Sequence, residues 1–179
     1  MSLLLATLLP GLFLVLLGTP LVMGLSGVIA SIRAFPRSQT AAYLLFGGGA
    51  IWFLFNVLHL SSADFGDYKV AIFIFFTVVA VLAFKCVPDF LAVRGACALV
   101  LLAAAPLLRA AYMEYQSPQR LLMVTLVYLA LSLAIWLGAQ PWRMRDFFEW
   151  LFRTPGRSKT MGAILLGYGL LLCVVAFTY

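Results

Sequence analysis

The stretch Ala41–Leu60, AAYLLFGGGAIWFLFNVLHL, runs for twenty residues without a lysine, arginine, aspartate or glutamate. Lipid offers the backbone no hydrogen-bond partners, so a chain crosses a bilayer as a helix of roughly 20 mostly apolar residues. This stretch has the length and the composition that such a helix needs. It therefore predicts a transmembrane helix.

The composition of the whole chain supports that interpretation. Of its 179 residues, 65% are hydrophobic and 10% are charged, and the mean hydropathy is +1.09. Soluble domains are about half apolar and about a quarter charged, so this chain has too little polar surface to face water. We expect an integral membrane protein with a single membrane domain over residues 1–179, since no link between apolar runs is long enough to fold separately.

Five further apolar runs accompany the first, and the predicted fold is all-α, a bundle of six transmembrane helices. The N-terminal run lacks a basic start and is longer than the apolar region of a signal peptide, about 7–15 residues, so we expect it to be retained. It is long enough to tilt, or to break at Pro10 or Pro20. The six spans are predicted at residues 3–32, 41–60, 70–84, 95–113, 121–138 and 161–178.

The link between the fifth and sixth spans has a helical pattern of its own. Pro141 suits the first turn of a helix, and from there to residue 153 the apolar residues Met144, Phe148 and Leu151 share one arc opposite the charged residues. The pattern predicts a short amphipathic helix at 141–153, lying in the membrane interface. The basic residues of this region either bind anionic lipid headgroups or only determine the orientation of the chain; they are Arg143, Arg145, Arg153, Arg157 and Lys159.

The distribution of lysine and arginine predicts the orientation. Nine of the twelve fall in the first, third and fifth links, against three in the rest of the chain, and such links lie in the cytoplasm. Both termini are then extracytoplasmic, which in a bacterium places the chain in the inner membrane. The net charge of +6 finds its counter-charge at the lipid surface, so the bilayer is the expected partner and nucleic acid is not.

The predicted second span ends in polar residues at the outer side of the membrane. On a helix, Gly49, Trp52, Asn56 and the chain's one histidine, His59, share a face about 80° wide, and Gly47–Gly49 is a point where the helix could bend. Polar side chains in lipid normally turn toward the protein interior. The candidate ligand-binding residues at this side are Asn56, His59, Asp64, Asp67, Arg109 and Glu114. The alternative is that each is an ordinary interfacial or loop residue, with Arg109 extending to the headgroups.

Motifs for catalysis, metals and cofactors are missing. The sequence contains no zinc-protease, nucleophile-elbow or phosphate-loop pattern, and Cys86, Cys97 and Cys173 have no metal-binding spacing, so we expect no metal and no cofactor. Three functions remain open. The first is a non-catalytic subunit or accessory module that packs against other membrane subunits or a second copy. The second is a small-solute or ion transporter or channel with an outward-facing polar site, and the third is an intramembrane enzyme on a lipid-like substrate.

Overall fold

The computed structural model describes residues 1–61 and 65–179, over which the chain forms eight α-helices and no strand. Six of the helices are long and apolar enough to cross a membrane, which confirms the predicted all-α, six-span architecture. The helices are α1 Leu3–Met23, α2 Ser26–Ala34, α3 Gln39–Leu58, α4 Lys69–Cys86, α5 Leu91–Ala111, α6 Arg120–Ala139, α7 Trp142–Leu151 and α8 Pro155–Ala176, with 3-10 turns at Phe35–Arg37 and Gly66–Tyr68.

The first membrane-spanning helix is shorter than the predicted span 3–32, and it does not break at either proline. The helix α1 continues through Pro10 and Pro20 and ends at Gly24, where φ is +65°. Glycine adopts this left-handed conformation without steric cost, so it ends the helix and α2 begins separately. The amide groups of Gly24 and Leu25 both donate to the carbonyl of Pro20, which closes the last turn.

Two other spans begin at least four residues earlier than predicted. The helix α5 starts at Leu91 rather than at residue 95, because Leu91, Ala92 and Val93 are buried in the bundle despite the arginine that follows them. The helix α8 starts at Pro155 rather than at residue 161, so two of the predicted basic surface residues lie in its first turns instead of in a link. The helix α3 runs unbroken through the triple glycine.

The antiparallel pair α1 and α8 forms the most extensive helix contact of the bundle. Glycines spaced by seven on both helices meet: Gly11 lies against Gly169, and Gly18 against Gly162. A Cβ placed at Gly18 would come within 2.7 Å of the backbone nitrogen of Leu166. Lipid supplies no hydrophobic drive between helices, so close backbone packing of small residues is what holds such a pair together.

The helix α5 is the centre of the remaining contacts. It packs on α3, where a Cβ at Gly95 would clash with the backbone of Phe46, and on α6 along its other side. The helices α1 and α3 both touch α5 but make few or no contacts with each other. We call the membrane face at which α3 and α5 end the Arg109 face, and the opposite one the α7 face.

The amphipathic segment predicted after the fifth span forms α7. It packs on α2, on α6 and on the turn Phe35–Arg37, with Leu151 and Phe152 buried on its apolar side. Its location in the membrane interface stays a prediction, as does the organisation of the chain as a single domain.

We predict that Gly18→Ala destabilises the protein and that Gly167→Ala does not. The added methyl group at position 18 meets backbone atoms of α8 that cannot move aside, and overpacking of this kind costs about 1–3 kcal/mol. A Cβ at Gly167 has nothing within 4 Å, so alanine there should be neutral or stabilising by about 0.5–1 kcal/mol. The midpoint of detergent-induced unfolding, followed by circular dichroism, measures both. Equal midpoints for the two variants would contradict the close α1–α8 contact.

Candidate functional site

Two of the predicted site residues, Asn56 and Arg109, line one cavity of about 580 Å³ at the Arg109 face. Trp52, Pro106 and Met1 also line it. Arg109 lies in the last turn of α5, where the helix dipole favours a cation. In the part of the chain that the structure describes, its side chain has no hydrogen bond and no ion pair. The cavity therefore offers the guanidinium of Arg109, which no acidic side chain among the described residues pairs, and the amide of Asn56.

His59 lies beyond the end of α3 and does not line this cavity. Its Nδ1 is 2.8 Å from the carbonyl oxygen of Phe55, to which it donates in the tautomer that carries the proton there, and the two rings are 4.3 Å apart. The helix stops at Leu58, so the helical periodicity that predicted a shared face no longer applies at residue 59. His59 instead closes the last turn of α3.

The predicted carboxylates do not meet the cation. Asp67 lies in the 3-10 turn before α4, and Glu114 lies in the link between α5 and α6; both are exposed. Within residues 1–61 and 65–179, neither forms an ion pair with His59 or Arg109. Asp64, the third predicted carboxylate, lies outside the described residues.

The cavity at Arg109 is one end of a longer groove. A second cavity of about 400 Å³ adjoins it, and a third of about 790 Å³ continues toward the α7 face. Trp52 lines all three cavities. The other residues shared between neighbouring cavities are Met1 and Pro106 at the Arg109 end, and Phe13, Val100 and Ala103 further along. We call the three cavities together the lateral groove.

The helix packing explains why the lateral groove exists. Its walls are α1 and α3, and its floor is α5. The helix α1 packs mainly on α8, and α3 packs mainly on α5. At the α7 face it is lined by Ile32 of α2 and by Phe148 and Leu151 of α7. The groove is thus a gap between two helix pairs, bordered by the amphipathic segment at one end and by Arg109 at the other.

The predicted lipid-surface cations differ in the hydrogen bonds and ion pairs that they make with protein groups. Arg145 is 2.8 Å from the carboxylate of Asp146 and 3.8 Å from that of Glu149. The hydrogen bond to Asp146, and then the charge of that carboxylate, raise the pKa of the Arg145 guanidinium above its ordinary value. Arg143 donates to the side-chain oxygen of Gln140 and lies over the ring of Trp136.

The remaining three surface cations follow α7. Arg157 donates to the carbonyl of Trp150 at 3.2 Å and lies 4.6 Å from the centre of its ring. Arg153 and Lys159 are exposed, and across the described residues neither side chain has a hydrogen bond or an ion pair. These two cations are therefore the ones most available to lipid headgroups.

Arg33 has a structural role that the sequence analysis missed. Its Nη2 donates to the carbonyl of Phe152 at 2.7 Å, and its guanidinium lies 5.3 Å from the centre of that ring. It thereby ties the end of α2 to the residue that follows α7. The sequence signal was weak, since a basic residue in this link also fits a purely topological role.

Trp52 is the other residue whose role sequence reasoning understated. Its place on one face with Gly49 and Asn56 was predicted, and Gly49 indeed packs on Leu99 of α5. That face borders a groove only because α1 stays away from α3, and no pattern within one helix shows this.

The described residues contain no group of three or more histidine, cysteine, aspartate or glutamate side chains that could hold a metal ion. Comparison of the chain with known protein families, with curated proteins and with solved structures finds no match.

We predict that Arg33→Ala loosens α7 and that Arg153→Ala does not. Both arginines border the same cavity of about 380 Å³ at the α7 face, but Arg33 is the one that holds the end of α7. A hydrogen bond from a charged donor contributes about 1.5–3 kcal/mol, so amide exchange over Phe148–Arg153 should become about ten- to hundredfold faster. Hydrogen exchange followed by mass spectrometry measures it, and equal rates in both variants would rule out this role for Arg33.

Proposed function

We propose that this multi-pass membrane protein is a non-catalytic subunit or accessory module of a membrane complex. The observation that carries the proposal is the exposure of α4. All of its 18 residues are at least partly exposed, and among the described helices α3 is the one that it packs on appreciably. The rest of its surface is available to a partner.

The outer surface of α4 is large and aromatic. Phe76 and Phe84 turn inward and contact Phe53, Tyr43 and Phe46 of α3. On the opposite side, Phe75, Val78 and Leu82 are exposed. Large exposed apolar patches mark interaction sites in soluble proteins. In a bilayer the same side chains suit lipid as well, so the test must separate a protein partner from lipid.

The distribution of acidic residues supports a non-catalytic role. None of the six aspartates and glutamates of the sequence lies within the interior of a membrane span, where a proton relay would need one. His59 bonds to the carbonyl of Phe55, and the described residues place no carboxylate within ion-pair distance of it. An intramembrane enzyme would need a second acid or a nucleophile at that position.

For its setting, we propose the cell inner membrane, with both termini extracytoplasmic and the α7 face in the cytoplasm. The support is the count of nine basic residues against three. In this orientation Arg153 and Lys159 face the anionic headgroups of the cytoplasmic leaflet.

A partner at α4 predicts a position-specific crosslink. Phe75 of α4 and Ile164 of α8 are both 62% exposed, so each is a fair site for the photoreactive residue p-benzoylphenylalanine. We expect irradiation of intact membranes to link position 75, and not position 164, to a single protein species. Native mass spectrometry of the untagged chain should show the same hetero-complex. If both positions give the same diffuse products, α4 faces lipid and the proposal fails.

Transport is the second candidate, and the cavity shared by Asn56 and Arg109 favours it. An open cavity with an unpaired arginine suits selection of an anion. We predict that, if the chain transports, purified protein in liposomes releases a small anion and Arg109→Ala lowers the flux at least tenfold. Lys69→Ala, which removes a charge from the same membrane face outside the cavity, is the control. Flux that is unchanged by Arg109→Ala would exclude this candidate.

A further inference from the structure

We propose that the lateral groove binds one anionic phospholipid, with its phosphate at Arg109 and Asn56 and one acyl chain lying along α5 past Trp52. The proposal concerns a different surface from α4 and does not depend on a protein partner. It rests on the charge at one end of the groove, the apolar lining of the rest, and the length between them.

The positive charge at the Arg109 end of the groove favours binding of an anion. Arg109 lies exposed near the end of a membrane-spanning helix, where arginine side chains extend to the headgroup region, and the part of the chain that the structure describes supplies it with no partner. The guanidinium matches the geometry of a phosphate and can donate two hydrogen bonds to it. Asn56, on the facing wall, can donate a third from its amide.

The rest of the lateral groove suits a hydrocarbon chain. In the middle cavity the wall residues are apolar, among them Leu9 and Phe13 of α1 and Ala103 of α5. In the cavity toward the α7 face, Ser31 is the one residue with a polar side chain apart from the Trp52 indole. A small polar solute would find few hydrogen-bond partners there. An acyl chain would pack against the apolar side chains in place of bilayer lipid.

The lateral groove is longer than one leaflet is thick. From Ala96, in the cavity toward the α7 face, to Arg109 there are thirteen residues of α5, or about 20 Å at the rise of an α-helix. Half of the hydrocarbon core is about 15 Å thick. A phospholipid whose phosphate binds at Arg109 can therefore extend a full-length chain inside the groove.

A second copy of the chain suits the groove less well. The six membrane-spanning helices α1, α3, α4, α5, α6 and α8 contain no aspartate or glutamate. A helix of a second copy laid into the groove would therefore leave Arg109 unpaired, whereas an anionic lipid pairs it.

The test uses the untagged full chain in mild detergent, with dioleoylphosphatidylglycerol or dioleoylphosphatidylcholine added, and native mass spectrometry as the readout. We expect one bound phosphatidylglycerol per chain and an affinity for it at least tenfold above that for phosphatidylcholine. Arg109→Gln should lower the phosphatidylglycerol affinity by about ten- to hundredfold, since it removes charge-assisted hydrogen bonds. Arg109→Lys should lower the phosphatidylglycerol affinity less than Arg109→Gln does.

Matched variants separate the site from general surface charge and from misfolding. Lys69→Gln removes a charge from the same membrane face outside the groove and should bind as the wild type does. Ala103→Leu fills the groove without touching Arg109 and should weaken the binding of both lipids. Ala163→Leu, on the exposed side of α8, should leave the binding of both unchanged. Thermal midpoints of all variants check that each is folded.

Several outcomes would overturn the proposal. Equal affinities for the two lipids would show that Arg109 does not select the headgroup. An equal loss of phosphatidylglycerol affinity in Arg109→Gln and Lys69→Gln would show the same. Unchanged binding by Ala103→Leu would place the lipid outside the groove. A lipid-free dimer would assign the groove to a second copy, and release of phosphatidylglycerol by millimolar inorganic phosphate would assign the site to a free anion.

Discussion

The close contact of α1 with α8 is the constraint on which the rest of the bundle depends. Four glycines, Gly11 and Gly18 on one helix and Gly162 and Gly169 on the other, allow the two backbones to touch. In lipid this close packing replaces the hydrophobic effect as the source of association. It joins the first and the last of the membrane-spanning helices described, and α5 and α6 pack on α1 beside it.

The lateral groove follows from that arrangement. The helix α3 is tied to α5 by an equally close approach at Gly95, and α1 is tied to α8, so neither wall is free to close on the other. The groove is therefore a consequence of two strong helix pairs that share α5 as a neighbour. Its polar end arises because α3 and α5 finish at the same membrane face, carrying Asn56 and Arg109 with them.

Arginines at both membrane faces donate to backbone carbonyls. At the α7 face, Arg33 and Arg157 donate to backbone carbonyls and Arg145 pairs with acids on its own helix. The contacts of Arg33 and Arg157 connect the amphipathic helix and the residue after it to α2 and α8. At the opposite face, Arg120 donates to the carbonyl of Ala111 at 2.7 Å and joins the start of α6 to the end of α5. Arg109 makes no such contact in the described structure, which leaves its guanidinium free for the proposed lipid.

The sequence by itself determined the membrane class, the six spans and the short amphipathic helix, because these depend on local composition and on the helical period. It was less accurate at the ends of helices: Gly24 and not a proline ends α1, and α5 begins before Arg94, since local breakers and tertiary burial decide where a helix stops. That Asn56 and Arg109 line one cavity, and that His59 does not line it, came from the tertiary structure alone. Helical periodicity relates residues within one helix, whereas which helices approach each other depends on backbone contacts between residues more than a hundred positions apart, such as Gly18 and Gly162.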